Sequence, residues 1–210
     1  MIFSGHQRIY PILDCETLRA RGCSITDAAE AMLEGGAEIL QYRHKEFWSR
    51  DTFSEAERVA GLCLAHGALF IVNDRADYAK MLGAGVHLGQ DDLPPRAARQ
   101  LLGDDAVIGY STHNVEQLRA AASEPVDYVA LGPIFGTASK RNPDPAVGVG
   151  NLKEWRSLVT QPLVAIGGIT RENARSVIEA GADSVAVISG LFVEGETVEK
   201  VTRDFLEILR

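Results

Sequence analysis

The sequence predicts an α/β protein with the TIM-type (β/α)8 barrel architecture, on three observations. Short apolar runs alternate with longer segments of helical period, the alternation recurs about eight times, and the connections are short. Strand–helix alternation of this kind implies parallel strands joined by right-handed crossovers, in an open doubly wound sheet or a closed barrel. Eight units favour the barrel. A length of 210 residues is near the lower limit of roughly 200 for this architecture, so residues 1–210 are expected to form a single domain with little room for an insertion.

The expected strands are Ile9–Leu13, Ile39–Tyr42, Leu69–Val72, Val86–Leu88, Val107–Tyr110, Tyr128–Leu131, Leu163–Ile166 and Ser184–Ile188. The first seven are followed by amphipathic segments at Ser24–Glu34, Ser54–His66, Ala76–Leu82, Pro95–Leu102, Val115–Ala122, Leu152–Val159 and Arg171–Ala180, and Thr197–Leu209 closes the chain. Glycines at Gly35, Gly36, Gly67, Gly83, Gly85, Gly103 and Gly181 fall where those helices should stop, as left-handed C-caps would.

With 46% hydrophobic residues the chain can bury one sizeable core. Three cysteines, Cys15, Cys23 and Cys63, are too few and too irregularly spaced for a disulfide framework, and no Cys-x-x-Cys pair points to zinc. A reducing cytoplasm fits that usage. Met1 to Ile9 holds neither a long apolar core nor a small-residue cleavage site, and no segment is long enough to span a bilayer, so neither secretion nor membrane insertion is expected. A formal charge of −8 repels nucleic-acid phosphates, so any phosphate ligand must be held by a local cluster.

In a barrel the functional groups sit on the loops after the strands. After the second strand, Gln41, Arg43 and Lys45 are alternate residues and face one way if the extended conformation continues. Solvated charges at a strand end are the alternative. Asn73-Asp74 follows the third strand, where it could also start a turn or cap the next helix. Capping does not explain a second acidic pair, Asp91-Asp92, one loop later, where one member could cap the helix after Pro94-Pro95 while the other binds metal. Two carboxylates on adjacent strand ends could share a hard cation and a polyphosphate.

Later loops differ. Ser111-Thr112-His113-Asn114 follows the fifth strand, and Thr137, Ser139 and Lys140 lie in the loop after the sixth. Gly167-Gly168 and Ser189-Gly190 follow the seventh and eighth, the usual place for a phosphate cradle built from backbone N–H groups and helix N-termini. Two cations and an amide, two carboxylates suited to Mg²⁺ and a neutral cradle together imply two phosphorylated small-molecule substrates.

The order and wording of these motifs closely resemble the thiamine phosphate synthase family of TIM barrels. The resemblance runs from about Ile9 to Ser189 and rests on Gln41-x-Arg43-x-Lys45, Asn73-Asp74, His87-x-Gly89-Gln90-x-Asp92, Gly132-Pro133 with Thr137-x-Ser139-Lys140, Ile166-Gly167-Gly168-Ile169-Thr170 and Ile188-Ser189. It implies a transferase that joins a pyrimidine methyl diphosphate to a thiazole phosphate and releases pyrophosphate. It further implies that Gln41, Tyr42, Arg43, His44, Lys45, Asn73, Ser111 and Lys140 contact the pyrimidine diphosphate, that Asp74 and Asp92 ligate Mg²⁺, and that Thr137, Ala138, Ser139, Gly168, Ile188 and Ser189 meet the thiazole phosphate. Arg43, Lys45, Ser111 and Lys140 are then the residues expected to serve the reaction, a dissociative displacement without a covalent enzyme intermediate.

Departures from the family wording are local: His44 stands for an acidic residue, Tyr42 for a leucine-like one, Gly136 for proline and Ser139 for threonine. In an extended strand His44 points away from Arg43 and Lys45 and would act on the lid loop instead; Gly136 loosens the sixth loop. Phe47 and Trp48 could form a lid over the pyrimidine or cover the edge of a core. One rival is the related thiazole tautomerase branch, with His113 as acid or base; another is a non-catalytic phosphate-ligand-binding module. Neither has a use for the whole charged rim. The sequence is compatible with a homo-oligomer.

Overall fold

A computed structural model describes residues 8–136 and 145–210. In chain order the elements are β1 (Ile9–Asp14), α1 (Cys15–Ala20), α2 (Ile25–Glu34), β2 (Ile39–Arg43), α3 (Arg50–Ala65), β3 (Leu69–Asn73), α4 (Ala76–Leu82), β4 (Gly85–Leu88), α5 (Pro95–Leu102), β5 (Ile108–Thr112), α6 (Val115–Ala121), β6 (Tyr128–Leu131), α7 (Gly148–Trp155), β7 (Leu163–Ile166), α8 (Ala174–Glu179), β8 (Ser184–Val187) and α9 (Val198–Ile208). All eight strands are parallel and close in order, with β8 pairing back to β1. This is the expected single-domain TIM barrel.

Period-2 alternation explains the closure. Tyr10, Ile12, Ile39, Ile71, Tyr128, Ala130, Val164 and Ala186 fill the barrel interior, while the intervening Leu13, Leu40, Val72, Val129, Leu163 and Val185 pack outward in the core shared with the helices. Both faces are buried, which is why the strands read as continuous apolar runs. The pairings Ile12–Gln41, Asn73–His87 and Ser111–Ala130 bring polar strand ends to one rim.

The opposite rim carries stability. Asp127 Oδ2 accepts the Ile108 N–H at 2.8 Å and pairs with Arg99 at 2.7 Å. Two units later Asp183 Oδ2 accepts the Leu163 N–H at 2.7 Å and pairs with Arg156 at 3.0 Å. Each carboxylate thus ties the start of a neighbouring strand to the helix before it.

Several boundaries differ from expectation. β1, β2 and β3 each run one residue further, so Asp14, Arg43 and Asn73 are strand residues aimed by the sheet. α3 begins at Arg50, because the Ser49 side chain accepts the Thr52 N–H as an N-cap. The sixth expected helical segment, α7, begins at Gly148 and ends in a 3-10 turn at Arg156–Leu158, and α8 covers only Ala174–Glu179. Gly36, Gly67, Gly83, Gly103 and Gly181 have positive φ, whereas Gly35 (φ −67) does not. Gly85 is no cap: it opens β4, where a Cβ would lie 2.5 Å from Ile71 Cδ1. Among the described residues no helix is long and apolar enough to cross a membrane.

Candidate active site

A cavity opens at the carboxyl-terminal rim, and Gln41, Arg43 and Lys45 all line it. Alternation along β2 and its extension points these three side chains inward. Gln41 Nε2 donates to the Tyr10 hydroxyl at 2.9 Å. Arg43 is ion-paired with Asp14, a buried carboxylate that also caps α1 by accepting the Thr17 N–H at 3.0 Å. Lys45 Nζ lies 2.5 Å from Asp74.

Asp74 is the one non-glycine residue with positive φ (65°) among the described residues. Its N–H donates to the His87 carbonyl at 2.8 Å, which fixes the turn where β3 leaves the sheet. Such a backbone is costly for a side-chain-bearing residue and persists where the surroundings impose it. The result places the Asp74 carboxyl against that of Asp92, whose Oδ2 accepts the Gly89 N–H at 2.7 Å. Burial, then the neighbouring Asp92, pushes the Asp74 carboxyl up to about 6, against the opposing pull of Lys45. Two carboxylates this close repel when both are ionised, and a bound cation would relieve them.

Neither acidic pair caps a helix. α4 starts from Arg75 and α5 from Pro94, both without a side-chain cap bond, and Asp91 is exposed while Asp92 faces Asp74. Asn73 is buried in the cavity wall, and its Nδ2 has no hydrogen-bond partner among the described residues. An orphaned donor beside two carboxylates fits an oxygen-rich anion carried by a hard cation. Among the described residues no three His, Cys, Asp or Glu side chains cluster as a metal site. A two-carboxylate donor set suits an ion that keeps water and takes its remaining oxygens from substrate phosphates.

Across the cavity the wall is neutral. Gly167, Gly168, Ile188, Ser189 and Gly190 line it. A Cβ on Gly168 (φ 63) would lie 2.6 Å from the Gly136 carbonyl, so the chain passes here only as glycine. Ser189–Leu191 form a 3-10 turn directly after β8, but α8 starts six residues beyond Gly168, after a turn in which Asn173 Oδ1 accepts the Thr170 N–H at 2.8 Å. That half is therefore a backbone cradle, not the mouth of a helix. Ser111 and His113 complete the wall; His113 Nδ1 donates to the Gly132 carbonyl at 2.6 Å.

A charged half that can hold a cation and an anion thus faces a neutral glycine-lined half across one cavity. The sequence profile of the thiamine monophosphate synthase family matches residues 9–191. The chain belongs to the thiamine monophosphate synthase family. It is 47% identical to the thiamine-phosphate synthase of Koribacter versatilis (strain Ellin345), over 96% of this chain and 95% of that protein. It is 50% identical to the thiamine-phosphate synthase of Chlorobium phaeovibrioides, over 80% and 85%. The structure of a thiamine phosphate pyrophosphorylase from Pyrococcus furiosus superposes with a TM-score of 0.83 at 32% identity, over 97% of this chain and 96% of that one.

Of the residues that the family resemblance singled out, Gln41, Arg43, Lys45, Asn73, Asp74, Ser111, Gly168, Ile188 and Ser189 line the cavity, and Asp92 stands behind Asp74. Thr137, Ala138, Ser139 and Lys140 lie outside the described residues. The side chains of Tyr42 and His44 do not reach the cavity, a correction that strand alternation explains. Tyr42 donates its hydroxyl to Glu55 at 2.7 Å, and His44 pairs with Glu16 at 2.5 Å, both on the helix-facing side. Trp48 is no lid over the site: it is buried and stacks on Tyr78 at 4.4 Å, closing the outer core, while Phe47 is exposed.

Two features of this family member escaped the sequence reading. Asp14 was hidden because α1, with six residues, is too short to show a helical period; its only signal is an acid directly after an apolar strand. His87 stands in the sequence only as part of a motif, yet its ring bridges Tyr128 and Ser111 at 2.9 and 2.8 Å inside the barrel.

Proposed function

We propose that this transferase joins 4-amino-2-methyl-5-(diphosphooxymethyl)pyrimidine to a thiazole phosphate, giving thiamine monophosphate and pyrophosphate, in the cytoplasm. The observation that carries the reading is the division of one cavity into the half lined by Arg43, Lys45 and Asp74, with Asp92 behind Asp74, and the half lined by Gly168, Ser189 and Gly190. The first suits a diphosphate and Mg²⁺, the second a monophosphate held by backbone groups. Three free cysteines agree with a reducing compartment.

In the reaction the bond between the pyrimidine methylene carbon and the diphosphate oxygen breaks, and a bond from that carbon to the thiazole nitrogen forms. The electron-rich pyrimidine stabilises the cation, so the protein needs no nucleophile. Arg43, held by Asp14, and Lys45, held by Asp74, are placed to neutralise charge growing on the leaving oxygens. Asp74 and Asp92 would hold Mg²⁺, which supplies further positive charge to the departing pyrophosphate. Gln41, anchored on Tyr10, orients the pyrimidine, and the cradle fixes the thiazole phosphate so that its nitrogen lies in line.

The test is to mix both substrates with protein and Mg²⁺ and measure joined product and pyrophosphate. Product dependent on both substrates supports the reading. Folded protein that gives no product, or that only isomerises a thiazole carboxylate phosphate, overturns it and in the second case favours the tautomerase.

A further inference from the structure

Four hydrogen bonds thread the barrel interior from one wall of the cavity to another. Gln41 Nε2 donates to the Tyr10 hydroxyl at 2.9 Å, and the Tyr10 and Tyr128 hydroxyls are 2.9 Å apart. The Tyr128 hydroxyl lies 2.9 Å from His87 Nδ1, and His87 Nε2 lies 2.8 Å from Ser111 Oγ. The chain crosses five strands, β2, β1, β6, β4 and β5. Gln41, His87 and Ser111 line the cavity, whereas both tyrosines are fully buried beneath it.

The barrel is shaped around this chain. A Cβ on Gly109 would lie 2.0 Å from Tyr128 Cζ, so β5 gives up a side chain to let that ring cross the interior. Tyr10 meets Tyr128 edge to face at 5.9 Å, and His87 stacks on Tyr128 at 5.6 Å. Branched aliphatic residues fill such layers at less polar cost. Two phenols placed there instead call for a use of their hydroxyls.

That use follows from proton counting. Burial raises both phenols well above their ordinary value, so each keeps its one proton. A phenol that receives a hydrogen bond and has one proton to give passes the direction of bonding along the chain. With the Gln41 amide donating to Tyr10, Tyr10 donates to Tyr128 and Tyr128 to His87 Nδ1. The imidazole proton then resides on Nε2 and is donated to Ser111 Oγ, which turns the serine proton toward the ligand. In the reverse sense Ser111 donates to His87 and can only accept from the ligand.

We propose that Tyr10 and Tyr128 are positioning residues that, through His87, hold Ser111 as a hydrogen-bond donor to the diphosphate-bearing substrate while fixing the amide sense of Gln41. The inference rests on the substrate reading above for the ligand, but not for the direction of the chain. In this sense of the chain the His87 ring accepts at Nδ1 and carries a proton on Nε2, and Gln41 and Ser111 are set together before substrate arrives.

Long-range proton–nitrogen NMR on ligand-free, histidine-labelled protein reads the tautomer directly. The expected wild-type spectrum shows His87 protonated at Nε2 and bare at Nδ1; a proton on Nδ1 overturns the proposal whatever the protein catalyses. Tyr128→Phe keeps the ring and removes the link, and should mix the tautomers and lower kcat about tenfold, with Tyr10→Phe acting in the same direction. Ser111→Ala should cost several-fold less in the Tyr128→Phe background than in wild type. Val164→Ala, an interior packing change, should lower the melting temperature without moving the tautomer. Unchanged tautomer and unchanged kcat in folded Tyr10→Phe or Tyr128→Phe protein overturn the proposal. Absence of product from wild type with an Nε2-protonated His87 overturns the substrate reading alone.

Discussion

Lys45 Nζ lies 2.5 Å from a carboxylate oxygen of Asp74, joining the loop after β2 to the turn after β3. Lys45 is nearly half exposed while Asp74 is partly buried, and an ion pair with one member in water contributes only about 0–1 kcal/mol to stability. Its purpose is better sought in what the two groups do for a ligand. Lys45→Ala should lower kcat/KM for coupling by on the order of 10²–10³-fold, with a melting temperature close to wild type. Steady-state kinetics beside a thermal melt check both parts, and near-wild-type turnover would remove Lys45 from the reaction.

Asp14 does two jobs, capping α1 and holding Arg43. Loss of the cap costs about 1 kcal/mol, and loss of the ion pair frees the guanidinium. Asp14→Ala should therefore lower stability by about that amount and raise KM for the pyrimidine diphosphate more than for the thiazole phosphate. Equal effects on the two substrates would show that Arg43 does not serve the diphosphate.

At the far rim, Asp127 ties the start of β5 to Arg99, well away from the cavity. Asp127→Ala should cost about 1–3 kcal/mol, since a charged acceptor is removed from a backbone donor, while kcat/KM stays unchanged. Denaturant unfolding and kinetics on the same preparation separate the two rims.

The surface network of Arg171, Lys200, Glu196 and Asp204 sets an acid limit to stability. Arg171 and then Lys200 hold the Glu196 carboxyl down at about 2, from an ordinary 4.5. A depressed acid contributes stability that is present above its unfolded value and is lost as pH falls through 4.5 toward 2. The melting temperature of Glu196→Gln should accordingly fall less between pH 5 and pH 3 than that of wild type. An equal fall in both would deny Glu196 a part in the acid transition.

Much of this was legible in the sequence because barrel strands are buried on both faces and announce themselves as apolar runs, as Leu163–Ile166 does. Alternation along Gln41, Arg43 and Lys45 likewise survived folding, since the sheet enforces it. The same rule turns Tyr42 and His44 outward, where their polar atoms meet Glu55 and Glu16. What sequence could not show was contact across the barrel. Asp14 reaches Arg43 only because β1 and β2 are paired, and the left-handed turn at Asp74 depends on a hydrogen bond to His87 from the next strand. Gly85 looked like a helix stop, because a glycine required by close packing and one required by positive φ read alike.

In the proposed reaction Asp74 and Asp92 hold a cation which, with Arg43 and Lys45, binds a diphosphate. Calorimetric titration of pyrophosphate into the protein tests it most directly, with and without Mg²⁺, in wild type and in Asp74→Asn with Asp92→Asn. Wild type should bind pyrophosphate at least tenfold more tightly with Mg²⁺, and the double variant should lose that gain while still folding. Binding that ignores Mg²⁺ in wild type, or a Mg²⁺ effect that survives in the double variant, would contradict the claim.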